Sequence, residues 1–173
     1  MPVLRRMTQP EYDDWLGRAI SAYAKDKVAS GQWPAEKALA LSAREHAELL
    51  PQGLKTPDHY HFAIVGDNAF PVGMLWFAVK TRFSAPVAYV FNIEVLPEHR
   101  LKGHARRALL ALEEEIRKLG LSGIALHVFG HNLAARELYA RLGYEPTNIN
   151  LFKAVTHPGA CPFVAESTPC GRN

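Results

Sequence analysis

The segment from Pro97 to Leu109 reads PEHRLKGHARRAL and gathers two histidines, three arginines and one lysine around Gly103. It lies where a run of strand-forming residues gives way to apolar residues at helical spacing. At such a junction the first-turn amides of the helix are unpaired and the helix dipole is positive, so the turn can meet an anion. Gly103 lets the backbone approach closely, and Arg100, Lys102 and Arg106 can add charge-assisted hydrogen bonds. A diphosphate suits this chemistry. The same residues also fit a solvated helix end, or, with Arg107, a nucleic-acid contact. Neither the three-glycine dinucleotide fingerprint nor the Gly-Lys-Ser/Thr ending of a P-loop is present.

The elements that must position this turn can be read from periodicity. Thr8 followed by Glu11 forms a capping-box pattern, and Tyr12, Trp15, Leu16, Ala19, Ile20 and Tyr23 recur at helical spacing up to Gly31. Pro34 with Glu36 opens a second helix, predicted to bury Leu39, Ala43, His46, Ala47 and Leu50. Three β-rich runs follow, HYHFAIVG, PVGMLWFAVKT and PVAYVFNIEVL, which predict consecutive antiparallel strands. Past the basic turn, Ala105, Ala108, Leu109, Leu112, Ile116 and Leu119 define the inner face of a helix closed by Gly120. SGIALHVFG predicts a strand, HNLAARELYARLG a short helix, and TNINLFKAV a final strand. The order αα, βββ, α, β, α, β makes the chain α+β. Residues 1–155 form one domain in this reading, a helical pair over 1–50 and a sheet with helices over 58–155, and the proline-rich stretch 156–173 is a tail.

Two segments in this frame carry a recognisable pattern. RLKGHA resembles the Arg/Gln-x-x-Gly-x-Gly/Ala signature of the GNAT superfamily of N-acetyltransferases, and NLAARELYARLGYE resembles its second hallmark, Asn-x-x-Ala-x-x-Leu-Tyr-x-x-x-Gly-Phe/Tyr. The resemblance implies a central, mostly antiparallel twisted sheet with a splayed strand pair, flanked by helices. It also implies acetyl-CoA as cosubstrate, with its pyrophosphate over the backbone of Leu101, Lys102, Gly103, His104, Ala105 and Arg106 and side-chain help from Arg100, Lys102 and Arg106. Leu101 stands where many members carry glycine, and His104 replaces a common apolar residue. By the same resemblance Ile93 and Val95 offer amides to the acetyl carbonyl and the pantetheine arm, Asn132 bonds the arm or its waters, and Tyr139 is the general acid.

Acetyl transfer to an amine needs an uncharged nucleophile, a stabilised oxyanion and a proton for the leaving thiolate. His127 is the first candidate for general base, because an imidazole can accept a proton near neutral pH. Glu94, on the face of its strand shared with Asn92, is the second; it could instead orient a cationic substrate or pair with an arginine. His99 and His104 read as parts of the basic turn, and Arg107 as solvated.

A formal net charge of +3 with acidic residues along most of the chain does not call for a nucleic-acid partner. The amino-terminal residues lack a secretory apolar core and no stretch is apolar enough for a bilayer, so a cytoplasmic protein without a membrane partner is expected. Cys161 and Cys170 read as reduced thiols, and no metal is expected. The expected activity is acetyl-CoA-dependent N-acetylation of a primary amine on a small molecule or protein, and a homodimer is compatible with the resemblance. A non-catalytic acyl-CoA sensor and a nucleic-acid-binding module are the competing classes.

Overall fold

The computed structural model describes residues 3–82, 84–130, 132–151 and 153. One sheet of five strands, in spatial order β1-β2-β3-β4-β5, organises the chain. The strands are β1 (Leu4–Arg6), β2 (His59–Val65), β3 (Pro71–Arg82), β4 (Ala85–Val95) and β5 (Ile124–Leu126). Helices α1 (Gln9–Ala29) and α2 (Ala35–Leu49) lie between β1 and β2, α3 (His104–Lys118) crosses from β4 to β5, and α4 (Leu133–Arg141) follows. The first four strands pair antiparallel, whereas β5 runs parallel to β4. That is the expected α+β architecture, a mostly antiparallel sheet flanked by helices.

Alternation along β2, β3 and β4 divides the core in two. Phe62, Ile64, Val72, Leu75, Phe77, Ala88 and Val90 pack with Ala108, Leu109, Leu112 and Ile116 of α3. On the opposite face Met74 and Trp76 pack with Tyr12, Trp15 and Leu50 of the helical pair. Leu109 and Leu112 are fully buried, and each such leucine contributes about 2 kcal/mol through removal from water.

The α1 start forms as its sequence predicts: Thr8 is the N-cap, and Glu11 Oε2 accepts its backbone N–H at 2.8 Å. Glu11 also accepts Arg5 Nη2 at 2.6 Å, tying α1 to β1. That hydrogen bond holds the carboxyl down at about 2.

Four sequence expectations need correction. A three-residue strand, Leu4–Arg6, precedes the helical pair; it is too short and too charged to show a period of two. The inner face of α2 is Ala38, Ser42 and His46, while Leu39 is 58% exposed. Small residues there let the helices approach until Ser42 Oγ donates to the Ile20 carbonyl at 2.7 Å. Leu119 is exposed because it is already the C-cap of α3. Residues 147–151, the described start of the expected final strand, pair with no other strand. The tail and both cysteines lie outside the described residues. Among the described residues no helix is long and apolar enough to cross a membrane.

The α1 face contains a buried histidine. His61 is 1% exposed, and its ring centroid lies 5.0 Å from Tyr12, 5.1 Å from Trp15 and 5.3 Å from Trp76. Neither ring nitrogen has a hydrogen-bond partner among the described residues. Burial, and then the neighbouring His59 and Arg6 charges, push its pKa from 6.5 down to about 3. Between those values the unfolded chain binds a proton that the folded chain refuses, so this contribution to stability is complete above pH 6.5 and is lost as pH falls toward 3. The melting temperature is therefore expected to drop on acidification from about pH 7 to about pH 5, and His61→Phe to flatten that drop. Thermal melts followed by circular dichroism at each pH check this; an unchanged slope in the variant would contradict it.

Candidate functional site

Strands β4 and β5 are paired only at Ala88–Ile124, Tyr89–Ala125 and Val90–Leu126. Beyond that point β4 continues to Val95 while β5 has ended, so among the described residues the outer edge of β4 has no strand beside it. The strand expected over SGIALHVFG is thus reduced to three residues, and His127 follows its end. The partner of Trp76 is Asn92 and that of Phe77 is Val90, so β4 carries one additional residue, Phe91, where the strands part. A bulge there bends β4 away from β5.

Past the bulge, Leu96 N–H bonds to the Val72 carbonyl at 2.9 Å. Because an antiparallel ladder alternates, Glu94 and Asn92 exchange bonds with β3 and the backbone groups of Ile93 and Val95 point to the open edge. Arg100 Nε donates to the Val95 carbonyl at 3.0 Å, which places that carbonyl outward. Gly73 holds β4 close on the other side: a Cβ there would lie 2.1 Å from the Glu94 carbonyl oxygen.

The open edge leads into the basic turn. A single 3-10 turn, Pro97–His99, is followed by Leu101 at φ 59° and Gly103 at φ 77°, both left-handed. Gly103 is the N-cap of α3 and no side chain caps the first turn, so the amides of His104, Ala105 and Arg106 are uncapped. Lys102 Nζ donates to the Glu98 carbonyl at 2.9 Å, so Lys102 and Arg100 both brace the turn. Arg106 is exposed and makes no ion pair or side-chain hydrogen bond among the described residues.

Two sequence readings change here. His104 is 6% exposed, and its Nδ1 accepts from Arg107 Nη2 at 2.8 Å. Burial, with the Arg107 charge second, holds this imidazole below its ordinary value, so His104 adds a backbone amide to the turn rather than a charge. Arg107 is not simply solvated, since Nη1 also lies 3.7 Å from Asp67. Nothing in the sequence near Asp67 signals that partnership.

The remaining candidates divide between the two faces of the sheet. Tyr139 of α4 is half-buried and, like Ile93, Val95 and Leu126, packs against the α3-side core; its ring lies 5.5 Å from that of Tyr144. Burial raises its phenol pKa. Asn132 is the N-cap of α4, its Oδ1 accepting the Ala135 N–H at 3.2 Å. Glu94 faces the other way, toward α1, where Arg18 Nη1 lies 3.7 Å from its carboxylate. Exposed His127 makes an edge contact with Phe129 at 5.2 Å. The structure thus puts Tyr139 on the α3 side of the sheet with the side chains of Ile93 and Val95, and the Glu94 carboxylate on the α1 side.

Comparison with known proteins bears on this arrangement. The profile described as "Acetyltransferase (GNAT) family" matches residues 22–144. The chain belongs to the GNAT acetyltransferase family. An N-acetyltransferase of Bacillus subtilis, YycN, is 33% identical over 151 residues, 87% of this chain and 97% of its own. Its crystal structure superposes with a TM-score of 0.81 at 32% identity, covering 89% of this chain and 98% of that one. A second Bacillus subtilis N-acetyltransferase, YdgE, is 33% identical over 87% of this chain and 96% of its own. At 21% identity and a TM-score of 0.58, AAC(6')-Iy in complex with a CoA bisubstrate analogue shares the fold over 88% of this chain and 97% of its own.

The GNAT protein is therefore an acetyltransferase, of a family that uses acetyl-CoA. Its turn departs from ideal backbone chemistry in one place. Leu101 is fully exposed in a conformation that costs a non-glycine residue about 1 kcal/mol, and its side chain recovers nothing by packing. Leu101→Gly is expected to retain or raise the melting temperature, whereas Gly103→Ala should lower stability by about 1 kcal/mol and weaken acetyl-CoA binding, since φ 77° strains any β-carbon. Thermal melts and calorimetric titration with acetyl-CoA measure both effects.

Proposed function

We propose that this GNAT enzyme transfers the acetyl group of acetyl-CoA directly to a primary amine in a ternary complex. The observation that carries the reading is continuity: the free edge of β4 at Ile93 and Val95 runs through the turn into the uncapped amides of α3. One end offers hydrogen bonds to an extended amide-bearing arm, the other a positive dipole for phosphates. When bound, acetyl-CoA supplies the acetyl group as a thioester. The amides of residues 101–106 and the Arg106 guanidinium hold its phosphates, and the outward Ile93 and Val95 amides take the acetyl carbonyl and the pantetheine arm. Asn132 supports the arm from the start of α4.

In this reading His127 accepts a proton from the amine, whose nitrogen lone pair attacks the acetyl carbon. The new N–C bond forms as the C–S bond breaks, and Tyr139 gives its phenolic proton to the departing sulfur. Burial suits Tyr139 to that role, because a raised pKa keeps the phenol protonated at neutral pH. Glu94, held by Arg18 on the α1 face, helps orient the acceptor.

Tyr139→Phe keeps the ring that packs against the core, so kcat should fall about 10²-fold while acetyl-CoA affinity stays within a factor of about two. Steady-state kinetics of thiol release, with calorimetry alongside, separate the two; equal losses would make Tyr139 a binding residue. His127→Gln should lower kcat about 10²-fold with acetyl-CoA affinity little changed. A kcat equal to that of the unmodified enzyme would hand the role of base to Glu94 or to water.

A further inference from the structure

On the α1 face of the sheet, β3 presents Trp76, then Ala78, Lys80 and Arg82 in alternation, and β4 presents Tyr89 and Phe91 beside them. Phe91 stacks on Trp76 at 4.6 Å and meets the edge of Tyr89 at 5.0 Å. The helical pair packs over Trp76. Beyond it lies an open cavity of about 540 Å³ lined by Lys80, Thr81, Arg82, Tyr89, Phe91 and Asn148.

Two features connect this cavity to acetyl transfer. Phe91 is both its wall and the additional residue at which β4 leaves β5. Its aromatic wall, Tyr89 and Phe91, also lies on the α1 face with Trp76, so an acceptor seated there would approach the parted strands from that face of the sheet.

Its charge then limits the acceptor. Arg82 Cζ stands 4.7 Å from the Tyr89 ring centroid and Lys80 Nζ 6.0 Å from that of Phe91. Among the described residues neither cation is in an ion pair and no carboxylate lines the cavity. A polycationic acceptor would add positive charge to a site already carrying two. An acidic group would instead receive the Arg82 fork, the Lys80 ammonium and a hydrogen bond from Asn148. Resting on the acetyl-transfer reading above, we infer that the acceptor is a primary amine bearing an acidic group, carboxylate or phosphate, which Lys80 and Arg82 bind in this cavity.

The test uses the full chain with acetyl-CoA and matched amines: β-alanine against propylamine, phosphoethanolamine against ethanolamine, and spermidine. Thiol release is expected to show kcat/KM about tenfold or more higher for the acidic member of at least one pair, the size of effect that hydrogen bonds to charged groups give. The pair showing the larger ratio identifies carboxylate or phosphate as the group recognised. Combining Lys80→Gln with Arg82→Gln should bring the ratio to about one, and Arg82→Lys beside native Lys80 should retain part of it. Equal rates within both pairs, or a preference for spermidine, would overturn the inference and leave acetyl transfer standing. Absence of thiol release with every amine would defeat the acetyl-transfer reading instead. Calorimetry of phosphoethanolamine and β-alanine with the acetyl-CoA-loaded protein then decides the inference: binding weakened about tenfold in the double variant supports it, and no binding or equal binding overturns it.

Discussion

The parting of β4 from β5 after Val90 and Leu126 is the constraint on which the rest of the structure depends. A strand edge inside a sheet normally finds a partner, because unpaired amides and carbonyls are costly when water is excluded. Here one side of β4 stays fully paired with β3 while the other is open from Phe91 onward. The pairing is secured from the closed side. Gly73 has no side chain to push β4 away, Phe91 absorbs the register slip by stacking on Trp76, and Arg100 returns to bond the Val95 carbonyl. The opening is therefore part of the folded sheet.

Each face of the sheet then has a different chemistry. On the α3 side, Phe62, Leu75 and Phe77 pack with Leu109 and Leu112 and fix the helix whose N-terminus ends the basic turn, and Tyr139 of α4 packs against the same core. On the α1 side the packing is aromatic and histidine-rich, with His59 accepting from Trp76 Nε1 at 3.1 Å and neither ring nitrogen of His61 hydrogen-bonded among the described residues. An apolar core alone would be more stable, since each buried polar atom left unpaired costs about 1–3 kcal/mol. The chain bears that cost on the face that carries the cationic cavity and Glu94.

Much of this was legible in the sequence, for reasons that differ by element. The α3 helix declared itself through a strict apolar period, and the turn before it through Gly103 amid basic residues. Thr8 and Glu11 marked the start of α1. The two motif segments identified the family, which the homologues establish. What escaped was set by tertiary contact. The face of α2 follows Ala38 and Ser42 because close helix approach outweighed the pull of Leu39. The charge of the turn is smaller than its composition suggests, since His104 is buried and Arg107 is shared with Asp67. The slip at Phe91 is not specified by a run rich in strand formers, and Lys80 and Arg82 read as ordinary exposed cations until β4 brings Tyr89 and Phe91 beside them.

The most direct test of the account is amide-resolved hydrogen exchange by NMR, with and without acetyl-CoA. If the open edge and the turn form one binding surface, acetyl-CoA will slow exchange together at Ile93, Val95 and the uncapped amides of residues 104–106. Protection of the α3 amides with Ile93 and Val95 unchanged, or no protection at either, would contradict it.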